Sequence, residues 1–316
     1  MVSGILTEGL IYGIMVLGVF ITFRVLNFAD MTVDGSFPMG AAIMAVLLTR
    51  SFPASAAIPI VFAGGALAGF VTALIHTRLK IPDLLSGILT MTMLYSVNLR
   101  IMSNRANLSL LRVPTLFARI SALAEGILPG ILPGRIPGIL PTSLAVVLYC
   151  ILVLAAVKII LDLFFHTDFG LSMGALGANP QLIISQGMNP DVIKMVGISL
   201  ANGLVAVSGS YAAMYQGFAD VGLGSGMIVS GLASLMIGEF LMRSNRIGIQ
   251  TLRVILGSIL YRSLMYIARN YGYKIHMNPN DLKLMTALLI ILCLVLSRSG
   301  FRAGTRTRKK TPEAKP

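Results

Sequence analysis

Charge is scarce in this chain. Of 316 residues only 12% are charged, there is no tryptophan, and cysteine occurs twice. A soluble domain carries about 25% charged residues, so a water-facing globule is excluded. Missing too are a G-x-x-x-x-G-K-[ST] phosphate loop, a G-x-S-x-G elbow, an H-E-x-x-H helix and any cysteine pair at metal-ligand spacing. These absences argue against a nucleotide site of that kind, a hydrolase triad and a structural zinc. Cys150 and Cys293 both lie in apolar runs and read as small packing residues. His76, His166 and His276 are scattered without shared spacing. The first apolar run starts near Gly4 with no basic segment before it, which reads as a retained helix rather than a cleaved signal.

What is present is membrane-grade sequence. The chain is 56% hydrophobic with mean hydropathy +0.85. Its apolar runs are about 20 residues long, the length of a spanning helix, not the ten-residue alternating segments of an outer-membrane barrel. The expected fold is an all-α polytopic membrane protein with about nine transmembrane helices, at 4–23, 35–49, 56–76, 84–103, 143–165, 192–215, 225–242, 248–268 and 283–298. The short second span suggests a broken or re-entrant helix.

The formal net charge of +13 is concentrated at one end, with seven of the 25 basic residues between Arg298 and Lys315. A basic tail is held on the cytoplasmic side, so the C-terminus is expected inside. Anionic lipid is a lesser reading of the tail, and nucleic acid is not expected as a partner. Nine spans then put the N-terminus outside and the basic loops at 76–83 and 243–246 inside. The loop Ser103–Thr142 runs against this scheme, because it falls outside yet carries Arg105, Arg112, Arg119 and Arg135. Within it, Ile127–Pro141 (ILPGILPGRIPGILP) has too much proline for a regular helix. It reads as an irregular interfacial segment, with a docking surface for an external partner as the alternative.

Two stretches interrupt the apolar pattern. Thr167–Asn189 is polar and glycine-rich between two long apolar runs. A loop that only reverses the chain needs about four to six residues, so this one has a task at the membrane surface. Leu171–Gln186 is expected to form a short helix, broken or restarted at Gly177 and at Asn179-Pro180. With no nucleotide site in the chain itself, an ATPase partner driving this segment is the favoured task. The second feature is an internal echo. Phe28-Ala29-Asp30-Met31 follows the first span and Phe218-Ala219-Asp220-Val221 follows the sixth, each leading through Gly and Ser into a short span. An offset of five spans places the copies on opposite faces, as in an inverted repeat of four spans, one linker and four, with interrupted helices after Phe28 and Phe218.

Ionisable groups within spans are functional candidates by default. Glu8 and Glu239 lie inside spans, while Asp30, Asp34 and Asp220 stand at the entrances of the interrupted ones. For Asp30 and Asp220 the favoured role is helix initiation by hydrogen bonding to free backbone N–H groups, with substrate or gating contact as the alternative. Glu239 is expected to pair with Arg243 one turn on. Small residues at Gly64, Gly65 and Gly69, at Gly203 and Ser208–Ser210, and at Gly226, Gly231 and Ser234 suit close helix packing. An inverted repeat also fits an ion-coupled secondary transporter without an ATPase partner, with Glu8 or Glu239 as the coupled group.

The chain resembles the permease subunits of ABC importers of the branched-chain amino acid and ribose permease superfamily, and within it the tryptophan/tyrosine-type permeases. Three blocks carry the resemblance: Arg24–Ala42 (RVLNFADMTVDGSFPMGAA), Gly170–Asn189, and Gly217–Gly238 (GFADVGLGSGMIVSGLASLMIG). It implies a multi-pass permease of the cell membrane, with residues 1–300 as one transmembrane permease domain and 301–316 as a basic cytoplasmic tail. Its implied partners are ATP-binding subunits, an extracytoplasmic substrate-binding protein and a second permease copy. The chain itself would bind no cofactor, since ATP and magnesium belong to the ATPase, and it would not be an enzyme. The implied solute is an amino acid of aromatic or branched-chain type. Ala175, Gly177, Asn179, Pro180, Gly187 and Asn189 would form the ATPase-coupling segment within 167–189. Asn27, Asp30, Asp34, Ser36, Asp220, Ser225 and Glu239 would line or gate the pathway. Relatives often carry a basic residue just before the alanine and an acidic one just before the asparagine of the coupling segment. Here those places hold Gly174 and Ala178, so docking would rest on shape more than charge.

Overall fold

A helix in lipid must satisfy every backbone group within itself, and the long apolar runs do so. The computed structural model describes residues 2–127, 141–242 and 246–272, with isolated helical positions at Leu284, Ala287, Leu288 and Ile291. Helix α1 (Val2–Val19) continues as a π-helical turn (Phe20–Val25). Then follow α2 (Val33–Thr49), α3 (Ala54–Leu79), α4 (Asp83–Ile101), strand β1 (Asn107–Ser109), α5 (Leu116–Ile127) and α6 (Pro141–Phe165). The second half holds α7 (Asp168–Ala178), α8 (Pro180–Ser185), α9 (Pro190–Gln216), strand β2 (Phe218–Asp220), a 3-10 turn (Val221–Gly224), α10 (Met227–Leu241) and α11 (Ile247–Gly272).

Among the described residues seven helical segments are long and apolar enough to cross a membrane: Val2–Val25, Ala54–Leu79, Asp83–Ile101, Ser143–Phe165, Pro190–Gln216, Val221–Leu241 and Ile247–Ala268. An eighth, Val33–Thr49, is apolar but shorter. At 17 residues it reaches about 25 Å, less than a hydrocarbon core of about 30 Å. The span expected at 283–298, the Ile127–Pro141 segment and the basic tail lie outside the continuously described residues.

The expectation of an all-helical chain needs one amendment. β1 and β2 form a small antiparallel sheet in which Asn107 faces Asp220, Leu108 faces Ala219 and Ser109 faces Phe218. The second Phe-Ala-Asp element is therefore a strand, tied to the segment after α4.

α1 and α9 pack chiefly against helices distant in the chain. α9 is wrapped by α1, α2 and α3, whereas α1 packs against α6, α9, α10 and α11. Small residues make this possible. A β-carbon at Gly40 would lie 1.9 Å from the Ala206 carbonyl oxygen, and one at Gly69 would lie 2.4 Å from that of Ile198. Gly65 meets α9 as closely, at Asn202, while Gly226 has open space instead and begins α10 with φ +82°. Ser208 donates to the Ile11 carbonyl at 2.8 Å and Ser258 to that of Gly9 at 2.9 Å, pinning α1 to α9 and to α11. The buried core runs along α1, α2 and α9 through Met15, Leu17, Phe20, Ile21, Phe37, Met44, Val205 and Ala206. α4 and α6 present aliphatic faces outward, with Leu84, Leu85, Ile88 and Leu89 on one and Leu152, Ile159, Ile160 and Leu163 on the other. In a bilayer those faces meet lipid or another helix.

Candidate functional site

Two places concentrate polar chemistry. The first is where α2 and α10 begin. Asn27 takes φ 52° and stops the π turn, and Phe28-Ala29-Asp30 follows. Gly217 takes φ 79° and stops α9, and Phe218-Ala219-Asp220 follows. In each copy an aspartate accepts the backbone N–H two residues on, Asp30 Oδ1 from Thr32 at 2.9 Å and Asp220 Oδ1 from Gly222 at 2.7 Å. Asp220 is the N-cap of the 3-10 turn, as helix initiation requires. Asp30 does less: the N-cap of α2 is Thr32, with no side-chain cap bond. The second oxygen of Asp30 instead accepts Asn202 Nδ2 from the middle of α9 at 2.7 Å. Asn202 Oδ1 accepts the Ser36 hydroxyl at 2.7 Å. Asp30, Ser36 and Asn202 are fully buried, so this is an internal strut between α2 and α9 and not a lining of open space. Thr32 and Thr72 share a hydrogen bond at 2.7 Å beside it, and Ala29 N–H donates to Asp83 at the foot of α4.

Asp34 works across the halves. It sits in the first turn of α2, but its carboxylate accepts the N–H of Gly226 at 3.0 Å and of Ile228 at 2.7 Å. One interrupted helix thereby caps the start of the other, and the negative side chain suits the positive end of the α10 dipole. Gly224 permits the approach, since a β-carbon there would lie 1.8 Å from the Asp34 carbonyl oxygen. A cavity of about 310 Å³ opens at this junction, walled by Asp34, Pro38, Met91, Tyr95, Asn98 and Ser225 among others.

Of the pathway candidates, Asp34 and Ser225 share this cavity. Asp30 and Ser36 stand behind it in the strut, Asn27 shapes the turn before it, and Asp220 is held at the sheet edge by Asn107 Nδ2 at 3.1 Å. Glu239 is at the far end of α10. Arg243 lies outside the described residues, and the Glu239 carboxylate is taken by Arg24 at 3.0 Å and Arg253 at 3.2 Å. Arg253 is almost fully buried, whereas Arg24 is largely exposed. Glu8 faces Arg262 at 3.9 Å. Sequence reasoning missed Asn98, Asn202, Arg24 and Arg253. Both asparagines had a signal in being amides inside apolar spans, where polar groups are expensive.

The second place is Thr167–Asn189, folded as helix, cap, helix. Thr167 Oγ1 accepts Gly170 N–H at 3.3 Å to start α7. Asn179 ends α7 and begins α8, its Oδ1 accepting Gln181 N–H at 3.1 Å with Pro180 in the first helical position. Gly187, at φ 75°, closes α8. Asn189 then starts α9 by accepting Asp191 N–H at 2.9 Å. The helix breaks at Asn179-Pro180 as expected. It does not break at Gly177, which lies inside α7. Gly177 serves a close approach: a β-carbon there would be 1.9 Å from the Val25 carbonyl oxygen, at the π turn of α1. Ala175, Met173, Leu176 and Ile183 face the protein, whereas Leu171, Leu182 and Ile184 stand 56%, 46% and 53% exposed. Arg24 and Val25 of the π turn, with Gly170, Leu171 and Gly174 of α7, wall a second cavity of about 270 Å³.

Comparison with known proteins gives concordant matches. Residues 1–295 match the family described as branched-chain amino acid transport system / permease component. The chain is 38% identical over 313 residues to a tyrosine transport system permease protein of Clostridioides difficile (strain R20291), covering 99% of this chain and 96% of that protein. It is 31% identical over 291 residues to an uncharacterised protein of Rickettsia prowazekii (strain Madrid E), covering 92% and 95%. Among solved structures, PsaBC from Streptococcus pneumoniae in complex with Fab is similar in fold, with TM-score 0.50 at 15% identity over 92% of this chain and 89% of that one.

Proposed function

The chain belongs to the branched-chain amino acid transport permease family, and from that premise we propose that it is the membrane subunit of an ATP-driven importer of an aromatic or branched-chain amino acid. It is a multi-pass membrane permease of the ABC type, a transport subunit rather than an enzyme. The finer reading has a separate ATPase with its own ATP and magnesium, an external binding protein that delivers the solute, and a second copy of this chain. The printed name of the Clostridioides difficile relative, a tyrosine permease, favours the aromatic class. The nine-span count, the 4+1+4 repeat and a cytoplasmic C-terminus belong to the same proposal, as does the division into a domain over 1–300 and a tail over 301–316. The repeat is supported by the matched turns at Asn27 and Gly217, their matched aspartate bonds, and the packing of α1 and α9 against helices distant in the chain.

The observation that carries the mechanism is the seat of Gly177 on the π turn. Ala175, Gly177, Asn179, Pro180, Gly187 and Asn189 belong to a helix–cap–helix unit that carries the exposed aliphatic side chains Leu171, Leu182 and Ile184. Exposed apolar groups on a segment at the membrane surface suit docking to a partner. A partner ATPase gripping Leu171, Leu182 and Ile184 would move α7. The Gly177–Val25 contact would pass that movement to the π turn and Arg24. Arg24 holds Glu239 at the end of α10, and α10 begins at the Asp34 cap beside the cavity. In this scheme Asn27, Asp30, Asp34, Ser36, Asp220, Ser225 and Glu239 act as hinge, strut, cap, wall and lock. A secondary transporter driven by Glu8 or Glu239 is the weaker reading, since both carboxylates face arginines.

The test is purification of the tagged full-length chain in mild detergent, followed by reconstitution with whatever co-purifies. A stoichiometric ATP-binding subunit that dissociates on Leu182→Asp, and ATP-dependent amino acid uptake, are expected. Uptake that is abolished by an ionophore and proceeds without any ATPase would overturn the proposal.

A further inference from the structure

We propose that the cavity between α2, α4 and the 3-10 turn binds the protonated amino group of the transported amino acid, with Asn98 Oδ1 and the Asp34 carboxylate as acceptors. The proposal rests on the permease reading and names the substrate chemistry of its pathway. Asn98 is fully buried on α4. Its Nδ2 donates to the Gly35 carbonyl at 3.2 Å, which fixes the amide orientation. Oδ1 is left buried with no hydrogen-bond partner. Buried amide oxygens are almost always paired, so this one is an acceptor with capacity to spare, on a residue that lines the cavity. Asp34 precedes Gly35 in the chain, and Asp34 and Asn98 line the same cavity.

The wall composition selects the donor. Among the described residues Asp34 is the one carboxylate of the wall, and no lysine, arginine or histidine lines it. Each Asp34 oxygen accepts one N–H from the start of α10, and a carboxylate oxygen has lone pairs for more. A compact group with several N–H donors and a positive charge satisfies both acceptors at once, and a primary ammonium has that character. Hydroxyl groups of a sugar would satisfy Asn98 but bring no cation to the Asp34 carboxylate, which only backbone N–H groups and the α10 dipole now offset. Pro38 and Met91 supply apolar wall, Tyr95 an aromatic ring and Ser225 a hydroxyl at the rim. The volume, about 310 Å³, sits at the lower end of small-molecule sites.

The experiment uses the full-length chain in lipid nanodiscs and saturation-transfer NMR with three probes: tyrosine, tyramine and 3-(4-hydroxyphenyl)propionate. Tyrosine and tyramine should bind, and the deaminated acid should bind at least about tenfold more weakly, the scale of one charge-assisted contact. Asn98→Leu should weaken tyrosine and tyramine about tenfold while leaving the deaminated acid unchanged. Equal binding of tyrosine and the deaminated acid, no binding of either amine, or equal weakening of all three probes by Asn98→Leu overturns the proposal. If Asn98→Leu does not fold, alkylation of Tyr95→Cys at the cavity mouth replaces it. Tyramine should slow that alkylation and the deaminated acid should not, and any other ranking is a refutation. ATP-driven uptake by the reconstituted complex is read separately. Uptake with the wrong probe ranking sinks the cavity assignment alone, and absent ATP-driven uptake sinks the importer reading.

Discussion

Placing one methyl group on α7 at position 177 tests the coupling route. In Gly177→Ala the new β-carbon falls 1.9 Å from the Val25 carbonyl oxygen, 2.9 Å from its carbon and 3.1 Å from the Leu26 carbonyl carbon. Real β-carbons keep at least 3.0 Å, so the helix must withdraw by 3.0 − 1.9, about 1.1 Å. The obstacle is backbone and cannot rotate away. Overpacking of this kind costs about 1–3 kcal/mol, which shifts the seated helix towards the unseated one by about five- to 150-fold. Gly174→Ala is the control, because it is in the same helix with nothing within 4 Å of its β-carbon. There the substitution should be neutral or stabilise by about 0.5–1 kcal/mol through helix propensity. The assay is the ratio of amino acid taken up to ATP hydrolysed in proteoliposomes holding the reconstituted complex. Gly177→Ala should lower that ratio at least about fivefold while the ATPase still co-purifies, and Gly174→Ala should leave it unchanged. Wild-type coupling in Gly177→Ala would show that the contact with the π turn transmits nothing.

Other perturbations separate strut, cap and lock. Asp34→Ala removes the acceptor for two N–H groups of α10 and should lower thermal stability in detergent by about 1–2 kcal/mol, whereas Asp83→Ala, which frees one N–H, should lower it less. Asn202→Leu leaves the buried Asp30 carboxylate short of a partner and should destabilise by about 1.5–3 kcal/mol; Asp30→Asn in the same background should recover part of that loss, and a melting-temperature series that shows no recovery refutes the strut. Glu239→Ala strands the buried Arg253 and should be severe, about 3–5 kcal/mol, while Arg24→Ala, on the exposed side of the same carboxylate, should change melting by less than about 1 kcal/mol yet lower transport. Gly187→Ala meets no atom but must hold φ 75°, a strain of about 1–2 kcal/mol, visible as faster hydrogen exchange across α8.

The helices were legible because bilayer-length apolar runs have few alternatives. Eight of the nine expected spans correspond to helices with shifted ends. The break at Asn179-Pro180 was legible for a local reason, since proline and a capping asparagine act on adjacent backbone. Gly177 was misread because the same residue serves breaks and close approaches, and only the position of Val25 tells them apart. Long-range hydrogen bonds were beyond reach. Nothing in Val33-Asp34-Gly35 says that its carboxylate caps a helix nearly 200 residues later, and nothing around Asn107 announces a strand partner at Asp220. The expected partner of Glu239, Arg243, lies outside the described residues, while the Glu239 carboxylate also meets arginines on the π turn and α11. Local spacing predicts a pair well when both residues ride one helix, but says nothing about arginines arriving from other helices.

The packing of α1 against helices distant in the chain has a consequence for how the chain is made. α1 leaves the ribosome first, but its packing partners α10 and α11 begin about 200 residues later, a wait of about 10–40 s at bacterial-like synthesis rates of roughly 5–20 residues per second. By the end of that interval α6 and α9 can already flank α1, with Ser208 on the Ile11 carbonyl, but the Ser258 bond to Gly9 still waits for α11. A chain truncated before α10 therefore leaves the α10- and α11-facing side of α1 uncovered and should be degraded by membrane proteases faster than the full chain.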